Sequence, residues 1–509
     1  MSQPFYLTTA ISYVNAKPHV GHAYEFIVSD AICRYRRMQG RPVFFLSGVD
    51  EHSATVEKAA EEAGQHPRDY CDYMAEVFLN LHRLTGSSLS DFIRTSEPRH
   101  HDTTKELLRR AYAKGDIYKG HYEGWYCFSC EAFYLADDLL DGELCPVHKK
   151  KAEWRQEENY FFRLSRYAEA IKRHFEEHPD FNVPVMYRNE MLALLDRGLQ
   201  DISISRSTTR WGITLPWDES HVSYVWFDAL SNYLTGVGFL KDEALFNTYW
   251  PADVHVIGKD INRFHSVLWP AMLMSCDIAL PKMVLVHGFV YHKGEKMSKT
   301  IGNIVDPVSL IEQYGRDPLR YFLLREIAFG QDGNYSEDAL INRYNADLAN
   351  DLGNLFSRVL AMIKKYREQR VPRTAGIDGA FQEVISKIRR AYVESMEQYA
   401  PHLALGAVWD LVSKANDYVQ KQEPWALAKD PNKKDDLDRV LLNLAEALRA
   451  VAVMIHPFMP GTSEEMLKRL GFPLDGGFPL LKDLEHAGLC AGNTIDVGAS
   501  LFPRIDKTK

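Results

Sequence analysis

Cysteine is scarce in this 509-residue chain: seven residues, an odd number, of which only Cys127, Cys130 and Cys145 lie near one another. That scarcity fits a reducing compartment and a metal knuckle better than a disulfide framework. Long apolar runs are missing too. The nearest approach to a membrane span, "VSYVWFDALSNYLTGVGFL", is interrupted by Asp228 and several amides and hydroxyls, so no membrane partner is expected. The start, "MSQPFYLTTAISY", has neither the basic region nor the continuous apolar segment of a secretory signal. These absences together read as a cytoplasmic protein. There is no excess of positive charge either. A formal net charge of −9 argues against a chain coated in nucleic acid, yet leaves room for a local basic surface. Internal repeats and low-complexity tracts are absent.

What is present is an ordinary globular composition, 46% apolar and 25% charged. The length calls for roughly two to four domains. "FYLTTAISYV" alternates and is rich in β-branched and aromatic residues, which predicts a strand. It leads into "GHAYEFIVSDAICRYRRMQG", where Tyr24, Ile27, Val28, Ala31, Tyr35 and Met38 recur at helical spacing and Gly40 supplies a stop. "PVFFLSGVD" follows as a second strand, and strand–helix–strand with short joins predicts a parallel βαβ unit. The pattern returns in "DVHVIGKD" and "KMVLVHGFV", which bracket a helical stretch from Arg263 to Met274.

The expectation is therefore an α/β catalytic domain of Rossmann type in two halves, residues 1–119 and 223–316, split by an insertion over 120–222. After Asp317 strand signals fade. A linking region over 317–349 and an all-α bundle over 350–509 are expected, the latter from apolar stripes such as Leu348, Leu352, Leu355, Val359 and Met362.

Within the insertion, Cys127, Cys130, Cys145 and His148 read C-x2-C-x14-C-x2-H. Three thiolates and one imidazole make a closed tetrahedral set suited to one Zn²⁺. A closed set leaves no open position for substrate, so its role would be structural.

"PHVGH" raises three alternatives: half of a metal site, a cradle for an anion, or a polar helix start. The first loses its purpose if the metal is held elsewhere. The stretch lies where a strand's C-terminal end passes into a helix, the usual ligand edge of an open α/β sheet. A helix start offers unpaired N–H groups and partial positive charge, and Gly21 allows close approach. Further on, "GEKMSKTIGN" carries Lys296 and Lys299 in a Gly-flanked loop, candidates for phosphate contacts. Two such motifs, in order, at opposite ends of a split α/β domain point to a nucleotide.

"PHVGH" and "KMSKT" resemble the HIGH and KMSKS signatures of class I aminoacyl-tRNA synthetases. Across nearly the whole chain the text resembles the methionyl-tRNA synthetase family, through "VNAKPHVGHAY", "GVDEHS", "DFIRTSEPRH", the knuckle, "SISRS", "YVWFDAL", "IGKDI", "EKMSKTIGN", "YGRDPLRYFLLRE", "DLGNLFSR" and "EPWALAK". Within the class the runner-up is a synthetase for leucine, isoleucine or valine, but those carry a much larger editing insertion, for which this chain has no room.

The resemblance implies that methionine and ATP give methionyl-adenylate and pyrophosphate, and that methionine then passes to initiator and elongator tRNA(Met). By resemblance, His19, Gly21, His22, Gly258, Asp260, Lys296, Ser298 and Lys299 meet ATP, with Mg²⁺ accompanying it. His19, His22, Lys296 and Lys299 are the catalytic set. Asp50 would bind the α-ammonium group. Ile11, Tyr13, Trp226, Ala229, Leu230, Tyr233, Val286 and His287 would line the methionine pocket, since aromatic rings suit a thioether. Asn354 and Arg358, four apart on one helix face, would read anticodon bases, and Trp425 would stack on one. Some relatives carry a C-terminal dimerising module. Here the sequence ends soon after the helical region, so a monomer is expected.

Overall fold

A computed structural model describes residues 3–127, 132–134, 136–147, 149–207, 209–297, 303–374, 377–474, 477–485 and 490–506. Its main sheet is built from seven parallel strands: β1 (Phe5–Thr9), β2 (Ser12–Tyr13), β3 (Val43–Asp50), β4 (Asp91–Arg94), β5 (Asn182–Val183), β6 (Val254–Gly258) and β7 (Val284–His287). β1 lies between β3 and β6, with β4 beyond β3 on one side and β7 then β5 beyond β6 on the other. Every residue of β1 is buried, as expected of a central parallel strand covered on both faces. The chain leaves β1 toward β3 through the helix Val20–Met38 and later reaches β6 on β1's opposite side. This reversal is the switch point at which open α/β sheets bind ligands, outside the carboxyl ends of their strands.

The structure departs from the sequence reading in three places. "FYLTTAISYV" is two strands. Ladder pairing lapses at Ala10 and Ile11 and resumes at Ser12, which pairs with Val49.

The stretch 120–222 does not form one continuous insertion. Ile117–Cys127 and Glu153–Phe162 form a long antiparallel hairpin, extended by Ala132–Tyr134 and Ile202–Ser203. A second small sheet joins Ser205–Arg206, Thr214–Leu215 and Asp218–Ser223. Between them the chain returns to the main sheet, where β5 pairs with Val284 and Leu285 of β7. A two-residue strand is too short to leave a periodic signal.

Beyond Asp317, where strand signals fade and helices are expected to dominate, Gly333–Tyr335 pairs with Val290–His292, itself paired with Glu295–Lys296. Again the strand is too short to be read.

The helices Asn354–Arg367, Gly379–Glu397, Pro401–Gln422, Lys434–Ile455 and Pro460–Arg469 form the bundle. Leu348, Leu352, Leu355 and Val359 are buried, and Met362 is partly so. They share one hydrophobic core with the helix Val20–Met38. Arg320, fully buried, reinforces that junction. It donates to the carbonyls of Thr85 (3.0 Å), Pro457 (2.8 Å) and Phe458 (2.8 Å), and its guanidinium lies 2.8 Å from Asp30 Oδ2 on the first helix. Among the described residues no helix is long and apolar enough to cross a membrane.

Candidate active site

A cavity of about 290 Å³ opens beyond the carboxyl ends of β1, β3, β6 and β7. Of the predicted site residues, thirteen meet on its walls: Ile11, Tyr13, His19, Gly21, His22, Asp50, Trp226, Ala229, Leu230, Tyr233, Gly258, Asp260 and His287. They come from segments up to 276 positions apart, 11 to 287. Val286 does not join them. Successive residues of a strand face opposite ways, and Val286 is buried in the core.

His19 is the N-cap of the first helix, and the cap is built from two imidazoles. His19 Nδ1 accepts from the Gly21 N–H at 3.0 Å, and His22 Nδ1 accepts from the His19 N–H at 3.1 Å. This reciprocal arrangement follows the capping-box geometry, with histidine in both side-chain roles. A ring nitrogen that accepts from a backbone N–H carries no proton, so each ring is neutral with its proton on Nε2. Burial, reinforced by the neighbouring His19 ring, holds His22 well below the ordinary imidazole pKa. Gly21 has a different reason from the one read in the sequence. A Cβ there would lie 2.7 Å from the His19 ring, so glycine lets that ring fold back onto the helix start.

Another part of the wall is aromatic. Trp226 stacks on Phe264, with centroids 4.0 Å apart and planes within 6°, and meets Tyr13 edge-on at 6.3 Å. Several lining residues are not singled out by the sequence, Ile261 and His265 among them. Ile261 closes a 3₁₀ turn over Lys259–Ile261 and His265 lies in a single π-turn over Phe264–Leu268, a distortion often found at functional sites that plain helical spacing does not reveal. His265 Nδ1 donates to the Ile261 carbonyl (3.1 Å), so Nε2 accepts from the Tyr233 hydroxyl (2.7 Å). Burial lowers His265 to a pKa of about 4, which keeps that acceptor available at neutral pH.

Glu25 was also missed. Its Oε2 lies 2.9 Å from His287 Nε2, while His287 Nδ1 donates to the Gly288 carbonyl at 2.8 Å. Desolvation raises the Glu25 pKa. His287 is pushed down by burial, but the Glu25 hydrogen bond and charge outweigh this and raise it overall. The two groups thus hold one proton between them.

Lys296 closes the short strand Glu295–Lys296, and Met297 lines the cavity. Ser298 and Lys299 lie outside the described residues, as do Cys130 and His148. Cys127 and Cys145 are buried in one small cluster with Tyr134, Leu139 and Ala152. In the bundle, Asn354 is exposed, Arg358 half-buried and Trp425 37% exposed.

Comparison with known proteins bears on both halves of the chain. A family model described as "tRNA synthetases class I (M)" matches residues 5–151 and 136–360, and one described as "Anticodon binding domain of methionyl tRNA ligase" matches 373–509. The chain is 45% identical to a methionine–tRNA ligase of Thermotoga maritima, covering 99% of itself and 80% of that protein. It is also 45% identical to one of Brucella suis, over 99% and 98%. Among solved structures it resembles Mycobacterium tuberculosis methionyl-tRNA synthetase in complex with methionyl-adenylate, with a TM-score of 0.95, 42% identity and coverage of 99% and 100%. The apo form of that enzyme gives a TM-score of 0.88 at 40% identity, covering 99% of each chain.

Proposed function

The chain belongs to the methionyl-tRNA synthetases of class I and is a methionine–tRNA ligase, and we propose that the cavity at the switch point is where methionine and ATP are joined. The observation that carries this reading is the pairing of two opposed chemistries in one cavity. At one end a helix start presents two neutral imidazoles with protons on Nε2. At the other, an aromatic box closes on the Tyr233–His265 pair.

The methionine carboxylate supplies the nucleophile, so no activated side chain is needed. It attacks the α-phosphorus, the bond to pyrophosphate breaks, and catalysis consists of placement and stabilisation of phosphate charge. His19 and His22 donate Nε2–H to phosphate oxygens at a helix N-terminus, where the backbone already favours an anion. Asp50, at the end of β3, takes the α-ammonium group. Ile11, Tyr13, Trp226, Ala229, Leu230 and Ile261 form the apolar walls that suit a thioether, and His287 lies beside them. Tyr233, its hydroxyl proton held by His265, ends the pocket in a fixed polar group. Gly258 and Asp260 border the adenosine. Lys296, Ser298 and Lys299 engage the phosphates from the loop after Met297, and Mg²⁺ travels with ATP. The carboxylate cage of a dedicated Mg²⁺ site is not part of this reading.

Asn354, Arg358 and Trp425 read the anticodon of tRNA(Met), initiator and elongator alike. The exposure of Trp425 supports its use as a stacking platform. The domain limits that follow are those read from the sequence, with β5 returned to the catalytic sheet.

Cys127 and Cys145, two thiols in one buried cluster, fit a thiolate metal site, and with Cys130 and His148 they would hold one Zn²⁺. That ion would hold together a cluster too small to be stable alone. Cys127→Ala is expected to lose zinc in elemental analysis and to make the 117–162 hairpin more susceptible to proteolysis. Full zinc stoichiometry in that variant would refute the ligand set.

The reaction itself is tested by amino-acid-dependent ATP–pyrophosphate exchange, screened over the common amino acids. Exchange with methionine is expected. Exchange driven by leucine or cysteine alone would overturn the assignment of the pocket.

A further inference from the structure

One buried cluster takes no direct part in this chemistry. Asp228 is fully buried, and each of its carboxylate oxygens holds a different imidazole. Oδ2 is 2.8 Å from His52 Nδ1 and Oδ1 is 2.6 Å from His100 Nε2, and both rings are buried as well. Among the described residues no lysine or arginine pairs with Asp228. A carboxylate so placed is costly unless both oxygens are satisfied, and the two rings are what satisfy it.

What these three residues connect is specific. Asp228 lies in the short helix Val225–Ala229, which carries Trp226 and Ala229 and runs directly into Leu230. His52 is two residues beyond Asp50, and its backbone N–H donates to Asp50 Oδ1 at 3.3 Å. His100 stands in the second layer, on the helix Pro98–Ala113. A second tie repeats the link. Thr104 on that helix meets the Ser231 hydroxyl at 2.6 Å, and the hydroxyl donates to the Asp228 carbonyl at 2.7 Å.

We propose that Asp228, through His52 and His100, is a positioning residue that fixes the distance between the ammonium-binding Asp50 and the apolar wall of Trp226, Ala229 and Leu230. It therefore sets which amino-acid length the cavity accepts. The proposal rests on the assignment of that cavity to methionine. An amino acid is measured by two contacts, its charged head and the end of its side chain. Here the elements bearing those contacts are joined by one carboxylate, and no atom of it touches the substrate. Misplacement of either wall by a fraction of an ångström weakens the amino acid without disturbing the ATP side, whose proposed ligands stand at the start of the first helix, at the end of β6 and just beyond it, and in the segment from Lys296 onward.

The test is steady-state exchange with methionine and ATP varied separately. Asp228→Asn is expected to raise the methionine KM about tenfold, with ATP KM and kcat within about threefold, the signature of lost ground-state binding for one substrate. It is also expected to narrow discrimination against ethionine, a methionine longer by one methylene. The His52 pair supplies a rescue. His52→Asn keeps an N–H at the position of Nδ1 and should remain close to the wild-type methionine KM, while His52→Leu should match Asp228→Asn. A purely structural role would lower thermal stability in both His52 variants and leave the ratio of the two KM values unchanged.

Parallel rises in both KM values, or no rise in a folded Asp228→Asn protein, would overturn the proposal. If Asp228→Asn is insoluble, the His52 pair decides: equal methionine KM values in Asn and Leu variants would overturn it. Absence of methionine exchange in the wild-type protein would overturn the cavity's assignment and this inference together, whereas the outcomes above strike the inference alone.

Discussion

His22→Ala is expected to lower methionine-dependent ATP–pyrophosphate exchange about 100-fold, the scale on which one preorganised donor to a developing phosphate charge acts. Two losses coincide in this variant. The Nε2–H proposed to meet the phosphates disappears, and so does the acceptor for the His19 N–H, which leaves the His19 ring less firmly held over Gly21. The pH dependence separates this account from one in which His22 acts as a cation. His22 is held well below the ordinary imidazole value of about 6.5 by burial. Its charge therefore does not change as pH rises through neutrality. Protonation would begin only on the acid side, where a proton would have to displace the backbone N–H from Nδ1. The ratio of wild-type to variant rates is accordingly expected to be the same at about pH 6.5 and pH 8. A ratio that grows steadily as pH falls through that range would show that a charged His22 contributes, and would sink the neutral-donor role. An exchange rate within a few-fold of wild type would remove His22 from the catalytic set.

Lys299→Ala should cost at least ~100-fold in kcat for exchange with a small change in the KM of ATP. The loop's first lysine, Lys296, closes a strand paired with Val290–His292, and Met297 already forms part of the cavity wall. Lys299 follows two positions later. A compact ammonium on a flexible stem can meet the departing pyrophosphate late in the reaction, when charge has built up. That timing predicts loss in kcat more than in binding. Rapid-quench measurement of adenylate formation separates the two, because the chemical step is seen directly. A variant whose loss lies wholly in ATP KM would show a ground-state contact instead, and Lys299 would leave the catalytic set for the binding set.

Much of the fold was legible because its signals are local. The apolar period of residues 20–38, the alternation of Phe5–Thr9 and the short joins between them specify a βαβ unit without reference to the rest of the chain. The two phosphate motifs are equally local, and their order along a split domain made them informative together. What escaped has the opposite character. β5 and the strand Gly333–Tyr335 are two and three residues long, and they exist only because a partner edge lies beside them. His265 enters the cavity through a π-turn, which shifts the helix face by one residue and defeats a count at 3.6. Val286 was placed in the pocket beside His287, but the pleat of β7 sends neighbours to opposite sides. Nothing in the local spacing singles out Glu25, yet its mostly buried carboxylate pairs with His287. Asp228, His52 and His100 lie 176 and 128 positions apart in their two contacts. No spacing rule reaches that far.

Arg320 gives the molecule a further property. It spends its donors on carbonyls from Thr85, Pro457 and Phe458, and its charge on Asp30, so a single side chain belongs at once to the nucleotide sheet's first helix and to the far end of the bundle. Removing the bundle would strand a buried cation beside a carboxylate and uncover the apolar face they share. The part that would recognise a transfer RNA is thus also part of what keeps the chemical half folded. A change in it would be felt by the helix that His19 and His22 cap.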